Sequence, residues 1–249
     1  METTLTEIAP EIYRISTYIP EAGPHGFTFN QFLVIADEPM LFHTGLRATF
    51  DSVAGAIEQV MPVSRLRWIG FGHYEADECG AMNEFLSRAP QAKVAHGQVG
   101  VMLSIFDQCD RAPRVLENDE VLDLGGKRMR RLETPHVPHG WDAGLFFEET
   151  TETLFAGDLF TIGGKYEAQT DSDLMEGAIA FEKAMPGTAL TPQTQPTIER
   201  LADLQPRTLA LMHNATWSGD AGTPLRELAQ WYGARLASLS PNPSTATHL

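Results

Sequence analysis

Short apolar runs recur along the chain, each closed by a polar or glycine-containing turn, and four of them stop at a residue able to bind a metal. Residues 66–71, Leu-Arg-Trp-Ile-Gly-Phe, read as a buried strand, and Ala81, Met82, Phe85 and Leu86 fall at helical spacing just beyond. The segment between them, His73-Tyr74-Glu75-Ala76-Asp77-Glu78-Cys79-Gly80, is therefore a strand-to-helix loop, with one imidazole and three carboxylates in six positions. Residues 127–133 predict a second strand. It runs into Thr134-Pro135-His136-Val137-Pro138-His139-Gly140-Trp141-Asp142, where two prolines keep the chain out of regular structure, so His136 and His139 lie in a loop. Residues 145–147 and 153–156 predict strands around the polar turn 148–152, and the second ends at Gly157-Asp158. Residues 208–212 form a last apolar run that stops at His213. Strand ends thus carry His73, His139, Asp158 and His213.

Acids at a helix start need no metal to explain them, because unpaired backbone N–H groups there favour negative charge. That accounts for Asp77 and Glu78 but for neither His73 nor Glu75. A loop held between two rigid elements can aim several side chains at one point, which suits metal ligation better.

The H-x-E-x-D segment, the later loop histidine, the Gly-Asp after a strand and the final strand-end histidine together resemble the metallo-β-lactamase superfamily. Within it, the pattern is similar to that of the flavodiiron and oxygen-binding diiron proteins. Glu75 stands where most hydrolases of the superfamily have histidine, and the spacing of His139, Asp142 and Asp158 also looks like the diiron branch. The resemblance covers most of the chain. It implies an α+β fold, an αββα sandwich of two mixed sheets flanked by helices, with metals at one edge between the sheets.

Carried over position by position, the resemblance implies that His73, Glu75 and His139 bind one metal, that Asp77 and His213 bind a second, and that Asp158 bridges them. Glu78 departs from the pattern by standing where the family usually has histidine. The expectation is that it binds the second metal through oxygen, the alternatives being a place behind the ligands or a position left open for substrate. His43, in Phe42-His43-Thr44-Gly45, stands where the superfamily commonly has an aspartate that orients a ligand loop, and is expected behind the ligands. His25 is expected to line the pocket or to be a polar loop residue. His136 is the rival of His139 for the ligand position. Tyr166 and Trp217, shortly after Asp158 and His213, are candidates for pocket walls or for packing.

Three histidines and four carboxylates make a hard, anionic site that suits iron first, with manganese and zinc as alternatives. Four carboxylates would balance two divalent ions, which tolerates oxidation and favours redox chemistry. The expected function is a dinuclear non-haem iron protein that binds, senses or reduces dioxygen or a similar small molecule such as nitric oxide. The alternative is a metal-dependent hydrolase of an ester, thioester or lactone, using a metal-bridging hydroxide.

Composition narrows the partners. A net charge of -15 with no basic cluster beyond Arg128-Met129-Arg130-Arg131 argues against nucleic acid. No basic leader and no stretch of membrane-spanning length is evident, so a cytoplasmic location is expected. Cys79 and Cys109 lack C-x-x-C spacing and fit a reducing compartment, and Cys79 reads as a small buried residue of a helix. One domain over 1–240 with a polar, disordered tail at 241–249 is expected. Flavodiiron proteins carry a flavodoxin-like module holding FMN. No such module fits in these 249 residues, so no FMN is expected in this chain and electrons would come from a separate electron-transfer protein. A homodimer is expected by analogy with relatives.

Overall fold

A computed structural model describes residues 2–239. The segment 241–249, expected as a tail, lies outside the described residues. The first sheet has seven strands in the order β1 (Glu2–Ala9), β2 (Ile12–Ile19), β3 (Phe27–Val34), β4 (Met40–Phe42), β5 (Trp68–Gly70), β6 (Lys93–Gly97) and β7 (Arg114–Leu116). Pairing is antiparallel from β1 to β4 and parallel from β4 to β7. The second sheet is built from β8 (Val121–Asp123), β9 (Arg128–Glu133), β10 (Gly144–Glu148), β11 (Thr153–Gly157), β12 (Gln169–Thr170), β13 (Thr208–Leu211) and β14 (Thr216–Ser218). Its spatial order is β12-β14-β13-β11-β10-β9-β8, again mixed.

Both faces of each sheet are covered, which explains why the central strands read as continuous apolar runs rather than alternating ones. Ile12, Phe32, Phe42, Met129, Phe146 and Phe155 meet between the sheets. On the outer face of the first sheet, Ile15, Leu33 and Ile69 pack against helices α1 (Phe50–Ile57) and α3 (Met82–Arg88). On the outer face of the second, Leu145, Leu154 and Leu209 pack against α6 (Thr194–Asp203) and α7 (Gly222–Leu239). Each large side chain removed from water there contributes about 1.5–3 kcal/mol. The two mixed sheets flanked by helices are the architecture expected from the sequence.

Two differences bear on the site. The strand predicted over 66–71 is confined to Trp68–Gly70, and the following loop gives way early to a single helical turn, α2 (Ala76–Cys79). Asp77 and Glu78 therefore sit in a helix, about 100° apart around its axis, instead of in an open loop. At this edge the sheets are joined by backbone bonds: Asn30 N–H donates to the Met212 carbonyl at 3.0 Å, and Gly144 N–H to the Gly72 carbonyl at 2.9 Å. Two further helical segments are α4 (98–108) and α5 (Met175–Ala184), and the second of these lies over the same edge.

Candidate metal centre

His73 leaves β5 in the loop before α2, and its ring is fixed from behind. Glu78 lies fully buried there: its Oε2 accepts the Gly72 and His73 N–H groups at 2.7 Å each, and its Oε1, which has no hydrogen-bond partner among the described residues, faces His73 Nδ1 at 3.3 Å. The same Oε1 is 3.3 Å from Nε2 of the buried His43. With Nδ1 facing a buried carboxylate, Nε2 of His73 is turned outward, 2.7 Å from Glu75 Oε2. His139, from the loop between β9 and β10, brings its Nε2 to 3.2 Å from the same oxygen. That loop is pinned to the first segment by Tyr74 N–H, which donates to Asp142 Oδ2 at 2.9 Å.

His213, directly after β13, is aimed in the same manner. Its Nδ1 lies 2.9 Å from the Thr28 carbonyl, which can only accept, so Nδ1 carries a proton and Nε2 faces the site. Phe27 and Phe29 clamp the ring at 4.6 and 5.4 Å between centroids. Nε2 then stands 3.3 Å from Asp77 Oδ2 and 3.3 Å from Asp158 Oδ1.

Asp158 links the two groups. Its Oδ2 lies 3.8 Å from His73 Nε2 and 3.6 Å from His139 Nε2, while its Oδ1 faces His213. Ligand atoms of His73, Glu75, His139 and Asp158 fall within 4.8 Å of one another. Atoms bound at about 2.1 Å to one cation in tetrahedral or octahedral geometry stand roughly 3.0–3.4 Å apart, so these spacings need little adjustment. Oδ1 of Asp77 and Oδ1 of Asp158 are buried without a hydrogen-bond partner among the described residues. Buried acceptors without donors are costly, and cations at this point would satisfy them. The donor set of His73, Glu75, His139 and Asp158 thus fits a cation, with Asp77 and His213 on the other side of Asp158.

Electrostatics agree. Burial opposes a charge on His73, yet Glu78, Glu75 and Asp158 outweigh it and raise its pKa to about 12. His213 rises to about 10 in the same way, with Asp158 and Asp77 overcoming burial. Hydrogen bonding to Glu75 is the main cause of the upward shift of His139. Bonds from His139 and His73 hold Glu75 far below the ordinary carboxylate range. In the absence of metal, the carboxylates hold protons on the imidazoles as substitutes for cations.

Several expected residues lie elsewhere. Glu78, expected as an oxygen ligand of the second metal, has its oxygens turned to His43, His73 and two backbone amides, because one helical step separates its direction from that of Asp77. His136 is exposed, with a left-handed φ of 67°, and stands outside the group. His25 is exposed on the turn before β3, where its carbonyl accepts the Tyr18 hydroxyl. Tyr166 lines a separate cavity, and Trp217 donates to the Ser172 carbonyl. The Cys79 thiol is pushed up to about 12, by burial first and the Glu78 charge second, which makes it a poor nucleophile.

The cavity over the centre measures ≈ 230 Å³. Its apolar walls are Phe27, Phe160, Phe181 and Met185, with Glu182 and Tyr232 at the back. Sequence reading missed Phe181, Met185 and Glu182, which come from α5 and its end and carry no motif. Glu182 is buried and satisfied by the Thr188 N–H and hydroxyl and by Arg235 at 3.3 Å.

The model of the ODP family beta lactamase matches residues 27–213, a span that holds every candidate ligand. The coenzyme F420H(2) oxidase of Methanothermobacter marburgensis is 31% identical over 142 residues, which cover 54% of this chain and 35% of that protein. The nitric oxide reductase of Moorella thermoacetica is 21% identical over 216 residues, 83% of this chain and 53% of that protein. The chain therefore spans between about a third and a half of the length of these curated relatives. Among solved structures, rubredoxin oxygen:oxidoreductase of Desulfovibrio gigas superposes with a TM-score of 0.78 at 18% identity, over 94% of this chain and 62% of that one. A fragment of a diflavin flavoprotein of Nostoc sp. PCC 7120 gives 0.77 at 17% identity, covering 95% and 96% of the two chains. At such identities the superpositions speak for the fold. With the matched span taking in three quarters of the chain, most strands of both sheets and every candidate ligand, the chain belongs to the ODP family beta lactamase.

Proposed function

We propose that this chain is the metal-binding unit of a dinuclear iron oxidoreductase that takes dioxygen or nitric oxide, with electrons delivered from outside these residues. The observation that carries the reading is Asp158, whose two oxygens face two separate imidazole–carboxylate groups. His73, Glu75 and His139 would hold one iron, Asp77 and His213 the other, and Asp158 both. Three carboxylates then touch the metals, and Glu78 adds a fourth negative charge behind His73, so the balance against two divalent ions is kept with one acid withdrawn from contact. Bound iron would supply reversible one-electron chemistry and open coordination positions for a diatomic molecule.

The residues of the chain do the rest. Glu78 and the Thr28 carbonyl fix the tautomers of His73 and His213, presenting Nε2 of each to the centre. Phe27, Phe160, Phe181 and Met185 give a weakly polar diatomic molecule an apolar approach and limit water at the metals. Oxidases and reductases among the relatives support this assignment of substrate class.

The test is anaerobic loading with two equivalents of ferrous iron, followed by exposure to dioxygen or nitric oxide while optical and EPR spectra are recorded. Oxidation of both irons, faster than free iron in the same buffer, is expected. Iron that reacts no faster than in buffer, together with zinc-dependent cleavage of a lactone or thioester, would replace this reading with a hydrolase.

A further inference from the structure

A second cavity, of ≈ 680 Å³, opens at the edge of the sandwich where inward-facing positions of β1, β2 and β3 meet residues 165–168. Thr28 separates it from the metal centre: its carbonyl holds His213, and its side chain lines this cavity. The wall carries Arg14, which the strand alternation of β2 turns inward alongside Ile12 and Ser16. Arg14 is only 2% exposed. Its Nη2 reaches one acceptor, the Asn214 carbonyl, at 3.4 Å, and its Nε has no partner among the described residues.

Among the described residues, no carboxylate pairs with this charge. Glu2, on the rim, accepts Lys165 Nζ at 2.6 Å, and Glu167 is exposed. Burial, with nothing opposing it, moves the Arg14 guanidinium down to about 10. A buried cation with open donors and no counter-charge is costly, and the planar guanidinium fork matches an oxyanion in two-point contact. The hydroxyls of Thr6 and Ser16 line the same wall and add donors.

We propose that this cavity binds a small oxyanion, a carboxylate or a phosphate, on Arg14. The inference does not depend on the metal chemistry.

Titration of the full chain with inorganic phosphate and, separately, with acetate tests it, with ionic strength held constant by chloride and Tm and backbone amide shifts recorded. A saturable rise of about 2–4 °C is expected with at least one of them, with shifts centred on residues 14–16, 28 and 165–168. Response to phosphate alone marks a phosphate ligand, and response to acetate alone a carboxylate. The R14Q variant should lose the effect. Because a buried arginine also supports the fold, T6E is the second variant: Thr6 lies directly across from Arg14 in the β1–β2 register, so a glutamate there supplies the missing anion from within. It should raise Tm without added anion and flatten the titration. No saturable response in the parent chain, or a response that persists in T6E, would overturn the proposal.

Discussion

The β10–β11 hairpin has a buried or nearly buried carboxylate at each end, and the two are treated in opposite ways. At the turn, Glu148 is fully buried and accepts bonds from the Arg128, Thr150 and Thr151 N–H groups and from both threonine hydroxyls, at 2.6–3.1 Å. At the other end, Asp158 has its carboxylate between the imidazoles of three histidines, and its buried Oδ1 lacks a hydrogen bond among the described residues. Glu148 is satisfied by its own chain and has no further use for a partner. Asp158 needs something the protein does not supply. Burial alone does not separate a structural acid from a functional one, whereas the count of donors around each oxygen does.

The largest effect should come from D158A. Without the carboxylate that faces both groups, iron content should fall from about two to at most one per chain, with the metal-free fold retained; elemental analysis and Tm read both. Two metals per chain in this variant would show that the bridge is wrongly placed. E148A should do the reverse, leaving the iron count unchanged while costing about 3 kcal/mol, or roughly 6–12 °C in Tm, as its donors lose their acceptor. Burial raises the pKa of Glu148, but bonds from the threonines and from Arg128 lower it further, to a net value below the ordinary 4.5. The stability Glu148 contributes is therefore complete above that value and lost as pH falls through its folded value, so the Tm difference between parent and E148A should shrink on acidification.

E78Q sharpens the comparison from the metal side. Its amide can keep the Gly72 and His73 N–H bonds but presents the wrong charge to His73 Nδ1, so metal affinity should fall about 10–100-fold with stoichiometry unchanged. Loss of one whole metal would instead make Glu78 a direct ligand. H136A should be smallest, with no change in iron content or Tm, since His136 is exposed and outside the group.

The fold was legible, and so was the gathering of most candidate ligands at one point, because the segments that carry them follow apolar strands, and strand ends sit where a sandwich leaves a cleft. What could not be read depends on direction. Asp77 and Glu78 are adjacent in sequence, and only the start of α2 at Ala76 decides that the first faces His213 and the second His73 and His43. The choice between His136 and His139 is made by a loop whose His136 N–H bonds the Gly140 carbonyl at 2.7 Å, a contact with no sequence signature. Phe181 and Met185 arrive from a helix with no motif. Strand alternation does place Arg14 inward, but its charge suggests the surface, and the fold overrides that preference.

The central claim is that this chain carries two cation sites sharing Asp158. Elemental analysis of protein produced with iron and zinc both present tests it most directly. The account predicts about two irons per chain; one metal or none would contradict the paired centre, and two zincs would contradict its assignment to iron.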